Sequence, residues 1–388
     1  MKDIKQYIRV GVDYFREVTI PTNGEDIKTL KRWNKQTIID DCGKGAIAEI
    51  TKYEGFCFIP DHINFQKSIN GFYNSYEPIS YKLEPNGTWD KIDMLLRHVF
   101  AEHYDLGLDF LTLLWQKPTQ VLPILCLVSE ERNTGKTTFL NLLKAIFEGN
   151  MTLNTNEDFR SPFNSGWAGK LIIGVDEVLL DKKDDSERIK NLSTAKYFKA
   201  EAKGKDKEEV EFFGKFILCS NNEENFVKID ANEIRYRVRK VPTLGDSVDP
   251  NLFNELVKEV PAFAYFLSQR MVATPKATRM WFTKEQIHTE ALDVLIRGNR
   301  TSIEKELEEM LIEEFAVFEV DKLCYSAKNL CEMLKNRGLL VSSNYISSTL
   351  QSKYGLTPKN SSYQWFRSEI YANGSPVATG CTSEKGRF

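Results

Sequence analysis

Residues 129–137 read SEERNTGKT, set between the apolar run PILCLV (123–128) and TFLNLLKAIF (138–147). A buried strand, a polar loop and an amphipathic helix in that order predict an α/β core with a phosphate-binding loop at a strand end. In such a loop Gly135 lets the backbone come close to a phosphate, and the unpaired N–H groups of the first helical turn hold the anion. Asn133, Thr134, Gly135, Lys136, Thr137 and Thr138 are therefore the expected ATP contacts. Lys136 would neutralise the β- and γ-phosphates, and the Thr137 hydroxyl would bind Mg²⁺. The full pattern asks for glycine five residues before Gly135, where this chain has Glu130.

Three further strand patterns follow. KLIIGVDEV (170–178) is an apolar run ending in two carboxylates, which assigns Asp176 to the Mg²⁺ and Glu177 to the water that attacks the γ-phosphate. FGKFILCSNN (213–222) ends in an amide pair, of which Asn221 is the better γ-phosphate sensor; the bland alternative is a turn-forming Asn-Asn. KIDANEIRYRVRKVP (228–242) alternates arginines at 235, 237 and 239 with apolar residues at strand period. An arginine there can stabilise charge at a neighbouring subunit's nucleotide, with Arg235 the first choice and Arg237 the second.

The order GKT, DE, SNN and arginine cluster, with 40 residues from Lys136 to Asp176 and 45 from Asp176 to Asn221, resembles the superfamily 3 helicases of viruses, phages and mobile elements. Among these the pox-virus and phage primase-helicases are most similar, and WNKQTIIDD (33–41) and FYNSYEPI (72–79) look like the region preceding their helicase core. The resemblance covers residues 95–245 well and the C-terminal part hardly at all. It implies a phosphate-loop, AAA+-like ATPase that assembles as a homo-oligomeric ring, expected to be a hexamer. Such a ring moves single-stranded DNA 3′ to 5′ through its pore, with a separate primase as a possible partner. The family also carries a basic hairpin between the carboxylate and asparagine strands. The matching segment is YFKAEAKGKDKEEVEFFGKF (197–216), in which Lys203, Lys205 and Lys207 are the candidate DNA contacts and Tyr197 and Phe198 the candidate stacking residues. A solvated hairpin and core packing are the alternatives.

Composition bounds the rest. At 388 residues, two or three domains are expected. The net charge of −3 confines any nucleic-acid surface to a local patch. Seven cysteines occur singly, without a CxxC pair, which favours a reducing cytoplasm, that of a bacterial host, over disulfides or structural zinc. No apolar run approaches membrane-spanning length, and the amino terminus has no signal-peptide core.

Along the chain, residues 1–91 read as an α+β accessory module with hairpins near 53–60 and 79–91, too short for a primase. Lys31, Arg32 and Trp33 read as an exposed basic turn. Residues 92–245 hold two helices, carrying His98 and His103 as surface or capping histidines, and the ATPase core. Residues 246–300 read as a helical lid or linker. Residues 301–388 give three helices and a strand pair, YQWFRSEIY, in the order of a winged helix. There Ser343, Asn344, Ser347, Ser348 and Lys353 would form the exposed face, Lys359 and Arg367 would lie beside the wing, and the tail from Gly374 would be loose. Such a domain can contact duplex DNA or protein. The function readings are an ATP-dependent DNA helicase, a DNA-binding ATPase that initiates or regulates replication without unwinding, and a small-molecule phosphotransferase.

Overall fold

A computed structural model describes residues 4–21, 27–161, 165–180, 182–200, 208–230, 233–245, 249–370 and 376–386. The chain divides into two compact units, residues 1–228 with 234–293, and residues 229–233 with 294–388.

In the first unit, α1 (Asp90–Phe100) and α2 (Tyr104–Gln116) precede a five-stranded sheet. Its strands are β1 (Ile124–Val128), followed by α3 (Lys136–Phe147), then β2 (Met151–Asn154), β3 (Ile172–Val175), β4 (Lys215–Ser220) and β5 (Tyr236–Lys240). The spatial order is β5-β1-β4-β3-β2, and every neighbouring pair is parallel. Parallel strands are covered on both faces, and every residue of β1, β3 and β4 is buried, which is why these segments read as unbroken apolar runs. Leu125 and Leu127 of β1 join Ile217 and Cys219 of β4 in one core with Leu95, Val99, Phe139, Leu143 and Phe147 from the helices.

The helix α4 (Leu252–Gln269) departs from the expected lid. Leu256, Val260, Phe263 and Leu267 lie in that same core, so the element is part of the sheet's packing.

The first ninety residues also differ from expectation. Tyr7–Val10, Asp13–Ile20, Ile27–Trp33 and Thr51–Tyr53 form a four-stranded sheet with its own small core of Tyr7, Tyr14, Ile38 and Ile50. Lys31, Arg32 and Trp33 therefore lie on a strand, where Arg32 pairs with Asp13. Neither expected hairpin forms: Phe56–Cys57 pairs in parallel with Phe72–Asn74, and residues 79–89 contain no strand.

In the second unit, α5 (Ser302–Phe318), α6 (Ala327–Asn336) and α7 (Ser343–Ser352) pack through Leu307, Met310, Leu330, Leu334, Ile346 and Leu350. Thr301 and Ser326 cap α5 and α6 reciprocally with Glu304 and Asn329 at the third helical position, so local sequence sets both starts. Ser343, Asn344, Ser348, Lys353 and Lys359 are exposed and Ser347 is half-buried; Lys353 pairs with Glu304 at 2.7 Å. Strands Ser361–Ile370 and Pro376–Gly386 form an antiparallel hairpin, so the tail expected to be loose is its second strand. No helix among the described residues is long and apolar enough to cross a membrane.

Candidate functional site

The site lies at the carboxyl ends of β1, β3 and β4, the edge of a parallel sheet at which ligands bind. The loop from Ser129 to Gly135 leaves β1 and runs into α3, whose first residue is Lys136. Two loop residues have left-handed backbone, Asn133 at φ +56° and Gly135 at φ +84°. Conformation rather than space demands glycine at 135: an added Cβ would meet Leu95, Leu244 and His98 only at ordinary contact distances of 3.6–3.8 Å. Asn is among the few residues that tolerate that backbone region, which fits position 133.

Lys136 is 6% exposed and folds back into the loop, donating to the Ser129 hydroxyl and, at 3.1 Å, to the Thr134 hydroxyl. Burial pulls its ammonium below the usual lysine range. Thr137 is exposed, and its hydroxyl donates to Asp176 Oδ2 at 2.7 Å. That contact joins the loop after β1 to the tip of β3 and brings together the two side chains expected at a metal. Thr138 is half-buried on the same helical turn.

Glu177 is exposed and has φ +53°, a strained value for a residue that is neither Gly nor Asn. Its turn is braced on both sides by Asn156, whose Nδ2 donates to the Glu177 carbonyl at 3.1 Å and whose Oδ1 accepts from Leu179 N–H at 2.9 Å. At the tip of β4, Asn222 spends its side chain on a turn, accepting from the N–H groups of Glu224 and Asn225 at 3.0 Å each. Asn221 is left exposed beside it.

The Glu130 departure has a local explanation. Its N–H donates at 3.1 Å to Glu223, a carboxylate only 6% exposed that also pairs with Lys240 of β5 at 2.8 Å. The first turn of the loop is thus fixed by a side chain from the β4 tip. On the other flank, His98 Nε2 donates to the Thr134 carbonyl at 3.0 Å, which requires the Nε2–H tautomer. His98, Asn156, Glu223 and Lys240 were not legible as site residues, because each acts across the fold on a backbone or side-chain group far away in sequence.

The arginines separate. Arg239 pairs with Glu102 and caps the Val99 carbonyl of α1. Arg237 is 2% exposed on the core face of β5, so it is not presented to a neighbouring subunit. Burial and the adjacent Arg239 push its guanidinium down to about 10. Arg235 precedes β5, half-buried, and its carbonyl accepts from Ile124 N–H at 2.8 Å. Because β5 and β1 are parallel, Arg235 stands at the amino end of the sheet, opposite the loop of its own chain.

The hairpin between β3 and β4 is present as Tyr197–Ala200 paired with Glu208–Glu211. Phe198 stacks on Trp167 at 5.5 Å and Tyr197 is 54% exposed, which leaves Tyr197 as the aromatic available for stacking. Lys203, Lys205 and Lys207 lie outside the described residues.

The donor set fits a nucleoside triphosphate with a divalent cation. A hydroxyl and a carboxylate meet at one point, a lysine lies inside the loop, and a helix N-terminus faces the loop's concave side.

Comparison with known proteins places these residues in a wider context. A family of unknown function, DUF5906, matches residues 127–237, from the end of β1 to β5. No curated protein sequence matches the chain. Among solved structures, the apo structure of the NrS-1 C-terminal region (305–718) has a TM-score of 0.65 at 16% identity, covering 96% of this chain and 94% of that one. The A form of the same region gives 0.63 at 17% identity over 96% and 95%, and a further A-form structure gives 0.58 at 19% over 92% and 83%. The chain shares the fold of the NrS-1 C-terminal region along nearly its whole length.

Proposed function

We propose that the chain is an ATP-dependent DNA helicase of a phage or mobile element, acting in replication within its host's cytoplasm as a homo-oligomeric ring on single-stranded DNA. The observation that carries this reading is the 2.7 Å bond from Thr137 to Asp176, which sets a phosphate loop against an acidic strand tip. The superfamily 3 resemblance of the motif order and the likeness to the NrS-1 C-terminal region over both units support it. In this reading the first unit is an AAA+-like ATPase.

Mg²⁺ bound with ATP supplies charge neutralisation at the β- and γ-phosphates. Thr137 and Asp176 would hold it, and Lys136 would turn from the Ser129 and Thr134 hydroxyls towards the phosphates. Glu177, fixed by Asn156, orients and polarises water, while Asn221 reports on the γ-phosphate. Arg235, at the far end of the sheet from its own loop, serves the neighbouring subunit. Lys203, Lys205 and Lys207 grip successive phosphates of the strand, and a separate primase would supply primers.

A Lys136→Ala variant tests the assignment. Hydrolysis should fall to background while the melting temperature holds, and strand displacement on a forked substrate should vanish with it. Retained turnover sinks the site assignment.

One observation favours a second reading. Three capped helices followed by an antiparallel hairpin give the element order of a winged helix, a duplex-DNA module, so the chain would be an initiator ATPase that does not unwind. ATPase stimulation by duplex without strand displacement distinguishes that case.

A further inference from the structure

One cavity of the first unit lies away from the proposed nucleotide site, at the amino ends of the strands. It is a groove of about 620 Å³ between the Ile59–Asn64 segment, the end of α2 with the Lys117–Val121 turn, and the loop carrying Lys276 and Arg279. Lys117, Lys276, Arg279, Ile63 and Asn64 are exposed along it, so it is an open channel rather than a closed chamber.

Its chemistry is asymmetric. Three cations face a single carboxylate, Asp61, whose Oδ1 already accepts from the N–H groups of Ile63 and Asn64 at 2.9 and 2.8 Å. The segment that carries Asp61 also presents two isoleucines, Ile63 64% exposed and Ile59 37% exposed. In a chain with a net charge of −3, a groove with excess positive charge is a local feature and not an overflow of the whole.

The cationic loop is held rigidly. Trp281 has φ +76°, an outlier for so bulky a residue. It is locked by Nε1 donating to the Thr274 carbonyl at 2.9 Å and by backbone bonds to Thr278. Lys117 Nζ sits 4.5 Å from the centre of the Trp281 ring, and Gln120 Nε2 donates to the Arg279 carbonyl at 2.7 Å, so the two cationic segments are tied together. Backbone strain maintained in this way marks positions that the surrounding structure over-determines.

The groove also adjoins the hairpin. The ammonium of Lys215, the first residue of β4, donates to the carbonyl of Pro118 on the groove floor and, at 2.7 Å, to that of Phe213 at the hairpin base. The groove and the root of the hairpin are thus fastened at one point of one sheet edge.

We propose that this groove is a second contact for single-stranded nucleic acid, holding backbone phosphates on Lys117, Lys276 and Arg279 and a base against Ile59 and Ile63. The proposal rests on the reading that a single strand passes the hairpin, and it extends that path onto the body of the same subunit. The cations and the exposed isoleucines match the two faces of a strand, anionic backbone and flat apolar base.

The test uses the full chain and a labelled oligothymidine, with binding followed by fluorescence anisotropy across a salt series. Each phosphate contact on a single strand contributes about −0.7 to the slope of log affinity against log salt. The double variant Lys276→Ala, Arg279→Ala should therefore weaken binding at least about tenfold and flatten the slope by about 1.4. Lys276→Arg with Arg279→Lys should keep both, and DNA-free ATP hydrolysis and the melting temperature should be those of the parent. An unchanged slope in the alanine pair overturns the groove assignment while leaving the motor reading intact. A dinucleotide binding as tightly as the long oligomer, sensitive to the same variants, overturns it in favour of a small-ligand pocket. If the parent binds the strand with the expected variant pattern but does not hydrolyse ATP, the motor reading fails and the groove stands.

Discussion

Asn156→Ala isolates the positioning of the proposed base from the binding of nucleotide. Asn156 touches neither loop nor metal residue, yet its amide spans the turn at Glu177, donating to one carbonyl and accepting one N–H. Those two hydrogen bonds offset the strain of a left-handed glutamate at φ +53°. A net hydrogen bond of this kind contributes about 1 kcal/mol, so losing both removes about 2 kcal/mol from the braced conformation. The strain they hold is of similar size, on the order of 1–3 kcal/mol, so without them the turn relaxes and Glu177 leaves its position for most of the time. Since 1.4 kcal/mol is a factor of ten, the turnover number should fall by up to about 30-fold. Nucleotide affinity, which the proposed site draws from Lys136, Thr137 and the loop N–H groups, should stay within about twofold, because none of those groups contacts Asn156. Single-turnover hydrolysis with a parallel titration of fluorescent ADP separates the two quantities. Equal losses in affinity and turnover, or no loss in either, would refute the bracing argument.

His98→Ala removes the donor to the Thr134 carbonyl and should weaken ADP binding about fivefold, with partial recovery in His98→Gln, as read by the same titration. His62, stacked on Trp115 at 4.7 Å, is pulled by burial from 6.5 to about 4. Between those values the unfolded chain binds a proton that the folded chain does not. The stability present above pH 6.5 is therefore lost as pH falls towards 4, by up to about 3 kcal/mol, and a His62→Phe variant should show a flatter urea midpoint over that window. Neither terminal nitrogen of Arg237 has a hydrogen-bond partner among the described residues, so Arg237→Met should raise the urea midpoint by the equivalent of about 1–3 kcal/mol; a lowered midpoint would mean the guanidinium is paired. Finally, if Arg235 completes a neighbour's site, mixing two inactive proteins, Lys136→Ala and Arg235→Ala, should restore activity at about a quarter of the interfaces of randomly mixed rings, and absence of complementation removes the role in trans.

What the chain disclosed beforehand follows from where information is local. Strands buried on both faces announce themselves, and the segments at Ile124, Ile172 and Lys215 all lie where their apolar runs end in polar tips. The loop at 129–137 and the acidic tip at Asp176 are short motifs, each a few adjacent residues, so their meeting could be expected from sequence. The amino-terminal sheet was not readable, because Asp13–Ile20 alternates only loosely between buried and exposed and its register comes from pairing with Ile27–Trp33 and, through Tyr7–Val10, with Thr51–Tyr53. The last strand was missed for a related reason: PVATGCTSEKG, with a Pro and two Gly, carries no strand signal of its own, and the preceding strand Ser361–Ile370 supplies the ladder. Arg237 shows the limit of periodicity in the other direction. Strand alternation puts Arg237 and Arg239 on one face of β5, with Arg235 on the bend before it, but only packing decides that Arg237 is buried.

The two ends of β4 carry different chemistry, and this gives the strand a place in any coupling of hydrolysis to DNA. At its carboxyl end, Cys219 accepts from Val178 N–H at 2.8 Å and the Ser220 hydroxyl donates to the Val178 carbonyl at 3.0 Å, so the strand is locked to the turn that carries Glu177. At its amino end, Lys215 holds the hairpin root and the groove floor together. The six residues between span about 20 Å and are all buried, with no room for a local bend. In the proposed motor, a shift of the Asn221 tip would reach the hairpin root and the groove through β4 together with β1 and β3, the strands paired on either side of it. Arg235 stands at that same amino end, so the element proposed to touch the neighbour's nucleotide and the elements proposed to touch DNA share one edge of the sheet. In the proposed ring, a hydrolysis signal would therefore have two routes to DNA, the subunit's own β4 and the adjoining protomer's sheet edge.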